Sequence, residues 1–457
     1  MRRAVVWAAL IAAMLTLAPP AGAVPARRAW PPGAAIPAPP AAVLPALDQG
    51  APIPGAGLTR ALDSAVGAVA LGPSVSAEVL DVATGNALYG RAPTAVLVPA
   101  STTKILTAAA LLSVRPGVET LPTRVVSGAA GEVILVGGGD VLLGPGRGEP
   151  DEVIGRAGLD DLAAETAAAL RAQGATSVSL GLDDTLFTGP TVSPLWQPGD
   201  TSGGFVAPVA ALALDSGNAA PGRRPAAGHP FARVGDPAMA AATAFAVRLR
   251  AHGVTVRGTP RRTTAPPDGA LLGEVRSAPL AALVEQALTD SDNTVAEALA
   301  RLVAISGNRE PSFTGAGLAV LDRLRLAGID VTGHTVAGGS GMGRGYAVSP
   351  HTIVSVLALA ASPEHPELRP VLTGLPIAGV SGTLADRFDA AAGRSAVGVV
   401  RAKTGTLTGI SSLAGTVVDA DGRLLAFAVL ADEVAATDAA RAALDGVAAT
   451  LARCGCR

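Results

Sequence analysis

Three short strings in this chain carry side chains that could do chemistry together. They are Ser-Thr-Thr-Lys at residues 101–104, Ser-Asp-Asn at 291–293 and Lys-Thr-Gly-Thr at 403–406. The chain contains two lysines, Lys104 and Lys403, and both fall inside these strings. An arginine keeps its proton near neutral pH, whereas burial or a neighbouring cation can turn a lysine amine into a base. The strings therefore predict a serine nucleophile activated by a lysine.

The first string is predicted to begin a helix. Apolar residues recur at helical spacing from Ser101 to Leu112, which places Ser101 in the first turn. Residues three apart on a helix share a face, so the Ser101 hydroxyl and the Lys104 amine should lie side by side. The helix N-terminus also favours a developing anion on Ser101. A Ser-x-x-Lys string alone is more often a helix start with a solvated lysine, so the other two strings are needed for the chemical interpretation.

The second string is predicted to supply partners for Lys104. Ser291 and Asn293 come just before a predicted helix over Thr294–Val303. There they would bring a second hydroxyl and an amide close to the lysine. Serine and asparagine are also ordinary helix-capping residues, so this string taken alone has a purely structural interpretation.

The third string is predicted to lie on a strand over Val399–Leu407. Lys403, Thr404, Gly405 and Thr406 are consecutive residues of that strand. Because glycine has no side chain, Gly405 leaves the neighbouring backbone open to a ligand.

Both ends of the chain are predicted to build one antiparallel sheet. Alternating apolar residues over Ser74–Ala92, broken at 84–86, indicate a hairpin. A second hairpin is indicated by Ser412–Val418 and Leu424–Leu430, on either side of Asp-Gly at 421–422. An Ala-rich helix follows over Thr437–Arg453. An antiparallel sheet faced by helices gives an α/β (α+β) fold class.

The three strings, in this order, resemble the motifs of penicillin-recognising serine acyltransferases. Further strings at 136–140, 339–342 and 378–384 resemble segments of the D-alanyl-D-alanine carboxypeptidase/endopeptidase family, the S13-like class C penicillin-binding proteins of low molecular mass. The resemblance extends from about Val75 to Arg453. It implies a β-lactamase/transpeptidase-like fold with a large domain inserted between the first two motifs.

The spacing of the motifs predicts the domain organisation. The stretch from Ser101 to Ser291 is too long for the compact helical domain that separates these motifs in class A β-lactamases. The predicted organisation is a signal peptide at 1–23, a Pro/Ala-rich tether at 24–57, a catalytic domain at 58–122 and 278–457, and an inserted domain at 123–277. No Glu-x-x-Leu-Asn string follows Ser291 to position a deacylating water, which disfavours efficient antibiotic hydrolysis.

The N-terminus predicts export to the cell wall, the periplasmic space or the medium. Arg2 and Arg3 precede an apolar run over Ala4–Leu17 and a small-residue cleavage site ending at Ala23. An uncleaved anchor, flanked by the arginines at 27–28, is the alternative and would be the only link to a membrane. The formal net charge of −2 offers no basic field for nucleic acid.

The two cysteines, Cys454 and Cys456, are separated by one residue. That spacing would strain a disulfide, so a labile bridge, free thiols and a link to a partner all stay open. A tail without function is an equally good interpretation. No metal and no cofactor are assigned.

The resemblance implies a role for each site residue. Ser101 would be the nucleophile and Lys104 its base, Ser291 would relay a proton to the leaving amine, and Asn293 would hold the amide of the acyl side chain. The residues that would receive the terminal carboxylate share one strand and are Lys403, Thr404 and Thr406 around Gly405. The backbone N–H groups of Ser101 and Thr406 would form the oxyanion hole.

The implied substrate is a peptidoglycan stem peptide ending in D-Ala-D-Ala, with β-lactams as mimics that trap Ser101. The sequence leaves carboxypeptidase and endopeptidase activity open. A β-lactam-sensing or wall-binding module of the same fold, and a β-lactamase or esterase, are the alternatives. A nucleophile elbow is excluded because Gly-Gly-Ser-Gly-Met at 338–342 lacks the last glycine of that pattern.

Overall fold

A computed structural model describes residues 55–391 and 393–454. Its first sheet has five antiparallel strands in the order β2-β1-β10-β9-β8. The strands are β1 (Ser74–Asp81), β2 (Ala87–Arg91), β8 (Val400–Leu407), β9 (Ile410–Val418) and β10 (Leu424–Asp432). Two strands come from the beginning of the described chain and three from its end, which confirms the predicted sheet and fold class.

The first sheet is covered on both faces because its central strand, β10, is apolar at nearly every position. Phe427 and Val429 pack with α1 (Gly55–Val66) and α11 (Thr437–Arg453) on one face. The alternate residue Leu430 packs into a second core on the other face. This alternation follows from the two-residue repeat of a strand.

The second core is built mainly from helices. They are α2 (Thr103–Leu112), α6 (Leu280–Thr289), α7 (Asn293–Ser306), α8 (Phe313–Leu326), α9 (Pro350–Ala361) and the short α10 (Arg369–Thr373). Two of them, α2 and α7, carry Lys104 and Asn293 of the first two motifs. Ile105 of α2 and Leu299 of α7 are both buried there. The first and second motifs are thus brought together by one apolar core.

A second five-stranded sheet is formed by the stretch between these motifs. Its order is β6-β5-β4-β3-β7, with parallel pairing of β4 with β5 and of β5 with β6, and antiparallel pairing elsewhere. Its strands are β3 (Thr120–Ser127), β4 (Glu132–Val136), β5 (Ser177–Asp183), β6 (Thr255–Arg262) and β7 (Leu271–Pro279). The helices α3 (Leu159–Ala172) and α5 (Pro237–Ala251) share a third core with this sheet, and a short helix, α4 (Pro198–Ser202), lies between them in sequence.

The stretch between the motifs also contributes to the helical core. Phe187, Trp196 and Val206 are buried with the residues of α2 and α7. The Trp196 ring makes an edge contact with Phe313 of α8, with 5.2 Å between ring centroids. The division into catalytic and inserted domains stays a prediction.

Local structure differs from the expectation at three places. Ser101 was expected in the first turn of an α-helix but lies in a 3₁₀ turn, Ala100–Thr102, that leads into α2. The helix of the second motif begins at Asn293, not Thr294, because Asp292 caps it by accepting hydrogen bonds from the backbone N–H groups of Thr294 and Val295 at 2.9 and 3.1 Å. Residues 55–57, expected to end the tether, form the first turn of α1.

The remaining expectations fall at the chain ends. The predicted signal peptide and tether up to residue 54 lie outside the described residues, as does Cys456. Cys454 is disulfide-bonded, so of the three alternatives a free thiol is wrong for this residue. Within 55–391 and 393–454, no helix has the length and apolar character needed to cross a membrane.

Candidate active site

The Lys104 amine lies at the centre of a buried cluster of polar groups. It donates hydrogen bonds to the Ser101 hydroxyl at 2.9 Å, to the Asn293 side-chain oxygen at 2.5 Å and to the Ser340 carbonyl at 2.9 Å. The Lys104 side chain is 1% exposed. Three polar partners fix the position of the amine, and one of them is the predicted nucleophile.

Burial sets the proton affinity of this amine. Desolvation lowers the pKa of Lys104 to about 7, against the opposing effect of the Glu297 and Asp292 carboxylates. The pKa of Lys403 is also held well below its ordinary value, first by burial and then by the positive charge of Lys104. A lysine with a pKa near 7 can accept a proton at neutral pH.

The backbone is strained just before Ser101 and at Ser291 itself. Ala100 has φ 49° and Ser291 has φ 57°, both in the left-handed region that side chains with a Cβ disfavour. Such residues cost about 1–3 kcal/mol and persist only where surrounding contacts hold them. One such contact is the Ser412 hydroxyl of β9, which donates to the Pro99 carbonyl at 2.7 Å.

The strand β8 lies at the edge of its sheet and carries the third motif. Lys403 is fully buried and donates to the Thr404 carbonyl at 3.0 Å. The Thr404 hydroxyl lies 3.0 Å from that of Thr383. A Cβ at Gly405 would come within 2.1 Å of the Ser412 hydroxyl oxygen, so only glycine fits where β8 passes this residue.

The outer edge of β8 is partly paired. Along this edge the Ala378 N–H donates a hydrogen bond to the Val400 carbonyl, and the Ala402 N–H donates one to the Pro376 carbonyl. Because backbone groups alternate sides along a strand, Thr404 and Thr406 turn their N–H groups to the same edge. No described residue gives these two groups a backbone partner on that side, so the edge can receive an extended peptide.

The second motif is held by the stretch that precedes it. Asp292 accepts hydrogen bonds from the Ser216 hydroxyl at 2.6 Å and from Arg224 at 3.3 Å. Burial would raise the pKa of Asp292, but the guanidinium groups of Arg224 and Arg233 lower it below its ordinary value. The Asn293 amide nitrogen donates to the Phe205 carbonyl at 3.0 Å, which leaves its oxygen facing Lys104.

Ser291 is a predicted site residue that has no contact with Lys104 among the hydrogen bonds of the described residues. Its side chain is half-buried, and it makes no side-chain hydrogen bond within the described part of the chain. Its hydroxyl is therefore free to meet a substrate, and its role as a proton relay stays a prediction.

Comparison with known proteins decides the family. The sequence profile of the D-Ala-D-Ala carboxypeptidase 3 (S13) family matches residues 58–232 and 222–452. The chain belongs to the S13 family. The resemblance seen in the three motifs is confirmed, since the profile covers all of them.

Relatives of this S13 chain match it over most of its length. A carboxypeptidase of Mycobacterium tuberculosis is 37% identical over 445 residues, covering 93% of this chain and 91% of the relative. Carboxypeptidase DacB of Mycolicibacterium smegmatis is 37% identical over 430 residues, covering 92% and 90%. The crystal structure of penicillin-binding protein 4 from Haemophilus influenzae has a TM-score of 0.68 at 26% identity, covering 88% of this chain and 98% of that one. The predicted penicillin-binding fold is therefore confirmed.

Several groups of the S13 site could not be found by reading motifs. The carbonyls of Ser340 and Phe205, which orient Lys104 and Asn293, belong to backbone that any residue type provides. Arg224 gave no signal because an arginine in a Gly/Pro-rich stretch is typical of a solvated loop. Asp292, an acidic residue in the middle of the second motif, is a sequence signal from which a cationic partner could have been expected.

Proposed function

We propose that this S13 D-Ala-D-Ala carboxypeptidase hydrolyses peptidoglycan stem peptides through an acyl-enzyme on Ser101. The observation that carries the proposal is the Lys104 amine, which bridges the Ser101 hydroxyl and the Asn293 side-chain oxygen inside a buried cluster. A buried amine of lowered pKa next to a serine hydroxyl is the arrangement that nucleophilic catalysis needs.

Acylation begins with proton transfer from Ser101 to neutral Lys104. The Ser101 oxygen then attacks the carbonyl carbon of the penultimate D-alanine. The N–H groups of Ser101 and Thr406 stabilise the oxyanion, and a single donor of this kind contributes about 2.7–4 kcal/mol in other enzymes. The free edge of β8 supports this role for Thr406.

Departure of the terminal D-alanine needs a proton and a carboxylate site. The Ser291 hydroxyl passes a proton from Lys104 to the leaving amine. Lys403 and the hydroxyls of Thr404 and Thr406 hold the terminal carboxylate by charge-assisted hydrogen bonds. Water then attacks the ester while Lys104 takes its proton, and Lys104 passes that proton to the Ser101 oxygen as the acyl group is released as a carboxylic acid.

β-Lactams fit the same reaction. Ring opening by Ser101 forms an acyl-enzyme whose leaving amine stays attached, so no product departs. A second structure of penicillin-binding protein 4 from Haemophilus influenzae is a complex with a β-lactam. A relative from Dictyostelium discoideum is named penicillin-sensitive carboxypeptidase A. Both names support penicillin as a probe of this chain.

The test follows D-alanine release from a stem pentapeptide ending in D-Ala-D-Ala. Release should occur with the wild type and stop in Ser101→Ala and after penicillin treatment. A parallel digest of cross-linked muropeptides separates carboxypeptidase from endopeptidase activity. Penicillin labelling of Ser101→Ala at the wild-type rate would contradict the assignment of the nucleophile, and rapid hydrolysis of the penicillin would favour a β-lactamase.

Export to the cell envelope is part of the proposal. The arginines, apolar run and small residues of the first 23 positions support it. Expression of the full chain in a bacterial host that cleaves signal peptides should give a mature protein that begins at Val24. The N-terminus is measured by mass spectrometry of the purified protein. An intact residue 1 on membrane-bound protein would favour the uncleaved anchor instead.

A further inference from the structure

A buried carboxylate lies one helical turn beyond Asn293. Glu297 of α7 is 0% exposed. Its carboxylate accepts hydrogen bonds from the backbone N–H groups of Gly339 and Ser340, both at 2.9 Å, and from the Ser340 hydroxyl at 2.5 Å. A buried carboxylate is costly unless it is satisfied, and three donors satisfy this one.

The backbone that Glu297 holds reaches the centre of the site. The carbonyl of the same Ser340 accepts the hydrogen bond from the Lys104 amine at 2.9 Å. The Thr107 hydroxyl, on the face of α2 that carries Lys104, donates to the Gly339 carbonyl at 2.8 Å. The loop is thus held from α7 on one side and α2 on the other.

Only glycines fit where this loop meets α7. A Cβ at Gly338 would come within 2.8 Å of a Glu297 carboxylate oxygen, and Gly338 has φ 152°. A Cβ at Gly339 would come within 2.2 Å of the Ala296 carbonyl oxygen. The close approach allows a single carboxylate to bind two successive N–H groups.

We propose that Glu297 is a positioning residue for Lys104. By holding the Ser340 backbone, it directs the Ser340 carbonyl at the amine and keeps that amine between Ser101 and Asn293. The inference rests on the proposed function, because it assigns Glu297 a part in the activity of that site.

The charge of Glu297 gives the inference a second readout. Its carboxylate raises the pKa of Lys104 against the effect of burial, as does Asp292, while the charge of Lys104 lowers the pKa of Lys403. Among the residues that the structure describes, Glu297 also faces Arg301 and Tyr346, and its charge acts to raise the pKa of each. Removing the charge of Glu297 should therefore lower the pKa of Lys104.

The decisive variant is Glu297→Gln in the full chain. Glutamine keeps one acceptor oxygen and replaces the other with an NH₂ donor, so one of the two backbone N–H groups loses its acceptor. We expect kcat for D-alanine release and the rate of labelled-penicillin acylation to fall on the order of 10–100-fold, as displacements of about 1 Å do elsewhere. KM should change little. The acid limb of the acylation pH profile should move to lower pH.

Two further variants make the outcome decisive. Glu132→Gln alters another buried glutamate, on β4, whose partner is Arg261 at 2.7 Å, and it should leave rate and pH profile unchanged. Glu297→Asp keeps the charge but shortens the side chain, so the rate should fall without the full shift of the acid limb. It also serves if Glu297→Gln does not fold.

Each result has one meaning. Wild-type kcat and an unmoved acid limb in both Glu297 variants, whatever their melting temperatures, would overturn the positioning role while leaving the proposed function intact. A wild-type protein that neither releases D-alanine nor reacts with penicillin would overturn the proposed function, and this inference with it.

Discussion

At the scale of single residues, the proton affinity of Lys104 determines the working pH. Its pKa is lowered to about 7, chiefly by burial, from 10.5. Because only the neutral amine can accept the Ser101 proton, the acylation rate should rise as pH increases through about 7. The measurement is the penicillin acylation rate from pH 5 to pH 10. An acid limb with its midpoint near 10 would show that Lys104 is an ordinary solvated amine or that another group is the base.

A substitution at Lys104 can separate the effect of its positive charge from that of its basicity. Lys104→Arg keeps a positive charge but replaces the amine with a group that stays protonated. Acylation should fall by a factor on the order of 10²–10⁴, the usual contribution of a general base. Arg401→Lys, an exposed change on the same strand as Lys403, is the control and should leave acylation unchanged. Near-normal acylation by Lys104→Arg would contradict proton transfer to this residue.

The residue types of the three motifs predicted most of the site, but not the backbone conformations that hold its side chains in place. Ser101 and Lys104 could be placed together from their helical spacing, whereas Asn293 could be placed beside them only because its string occurs with the other two motifs. The strained φ of Ala100 and of Ser291 could not be predicted, since neither residue type favours the left-handed region. Such strain is imposed by tertiary contacts.

At the scale of elements, the second motif depends on a buried ion pair. Arg224 contacts both Asp215 and Asp292, and those carboxylates are 2% and 3% exposed. Arg224→Met would leave them without that cation, which typically costs about 3–5 kcal/mol. We expect a lower melting temperature and slower acylation, because Asp292 caps α7 where Asn293 begins it. The measurements are thermal unfolding by circular dichroism and penicillin labelling.

Arg223→Met is the matched control for this element. Its side chain is exposed next to Arg224, so stability and acylation should stay at wild-type values. Equal effects of the two substitutions would show that the ion pair does not support the motif.

Elements with local signals were predicted well, and those with distant partners were not. The hairpin of β9 and β10 was predicted because Asp-Gly at 421–422 sets the turn between two apolar runs. The parallel pairing of β4, β5 and β6 has no such local signal, because the strands are joined through α3 and α5. Nor could the burial of Trp196 among the site helices be read from its surroundings in sequence.

At the scale of the whole molecule, the two ends of the described chain close one core. Helix α1 packs against α11 over the face of the first sheet opposite the helices of the site. Leu62 of α1 is 0% exposed in that core, with Phe427 and Leu444. Helix α1 therefore supports the sheet that carries the third motif, although α1 itself contains no motif residue.

A substitution in α1 should therefore change the stability of the fold without changing the acylation rate. Leu62→Ala should lower the free energy of unfolding by about 2–5 kcal/mol, the range for truncating a buried leucine. Acylation at temperatures well below the transition should stay unchanged, because the sheet lies between α1 and the helices that carry Lys104 and Asn293. Val69→Ala, at a residue that is 96% exposed, is the control and should change neither property. A fall in acylation for folded Leu62→Ala would mean that packing on the α1 face reaches the site through β10 and its neighbours, and that the two faces of the sheet act as one unit.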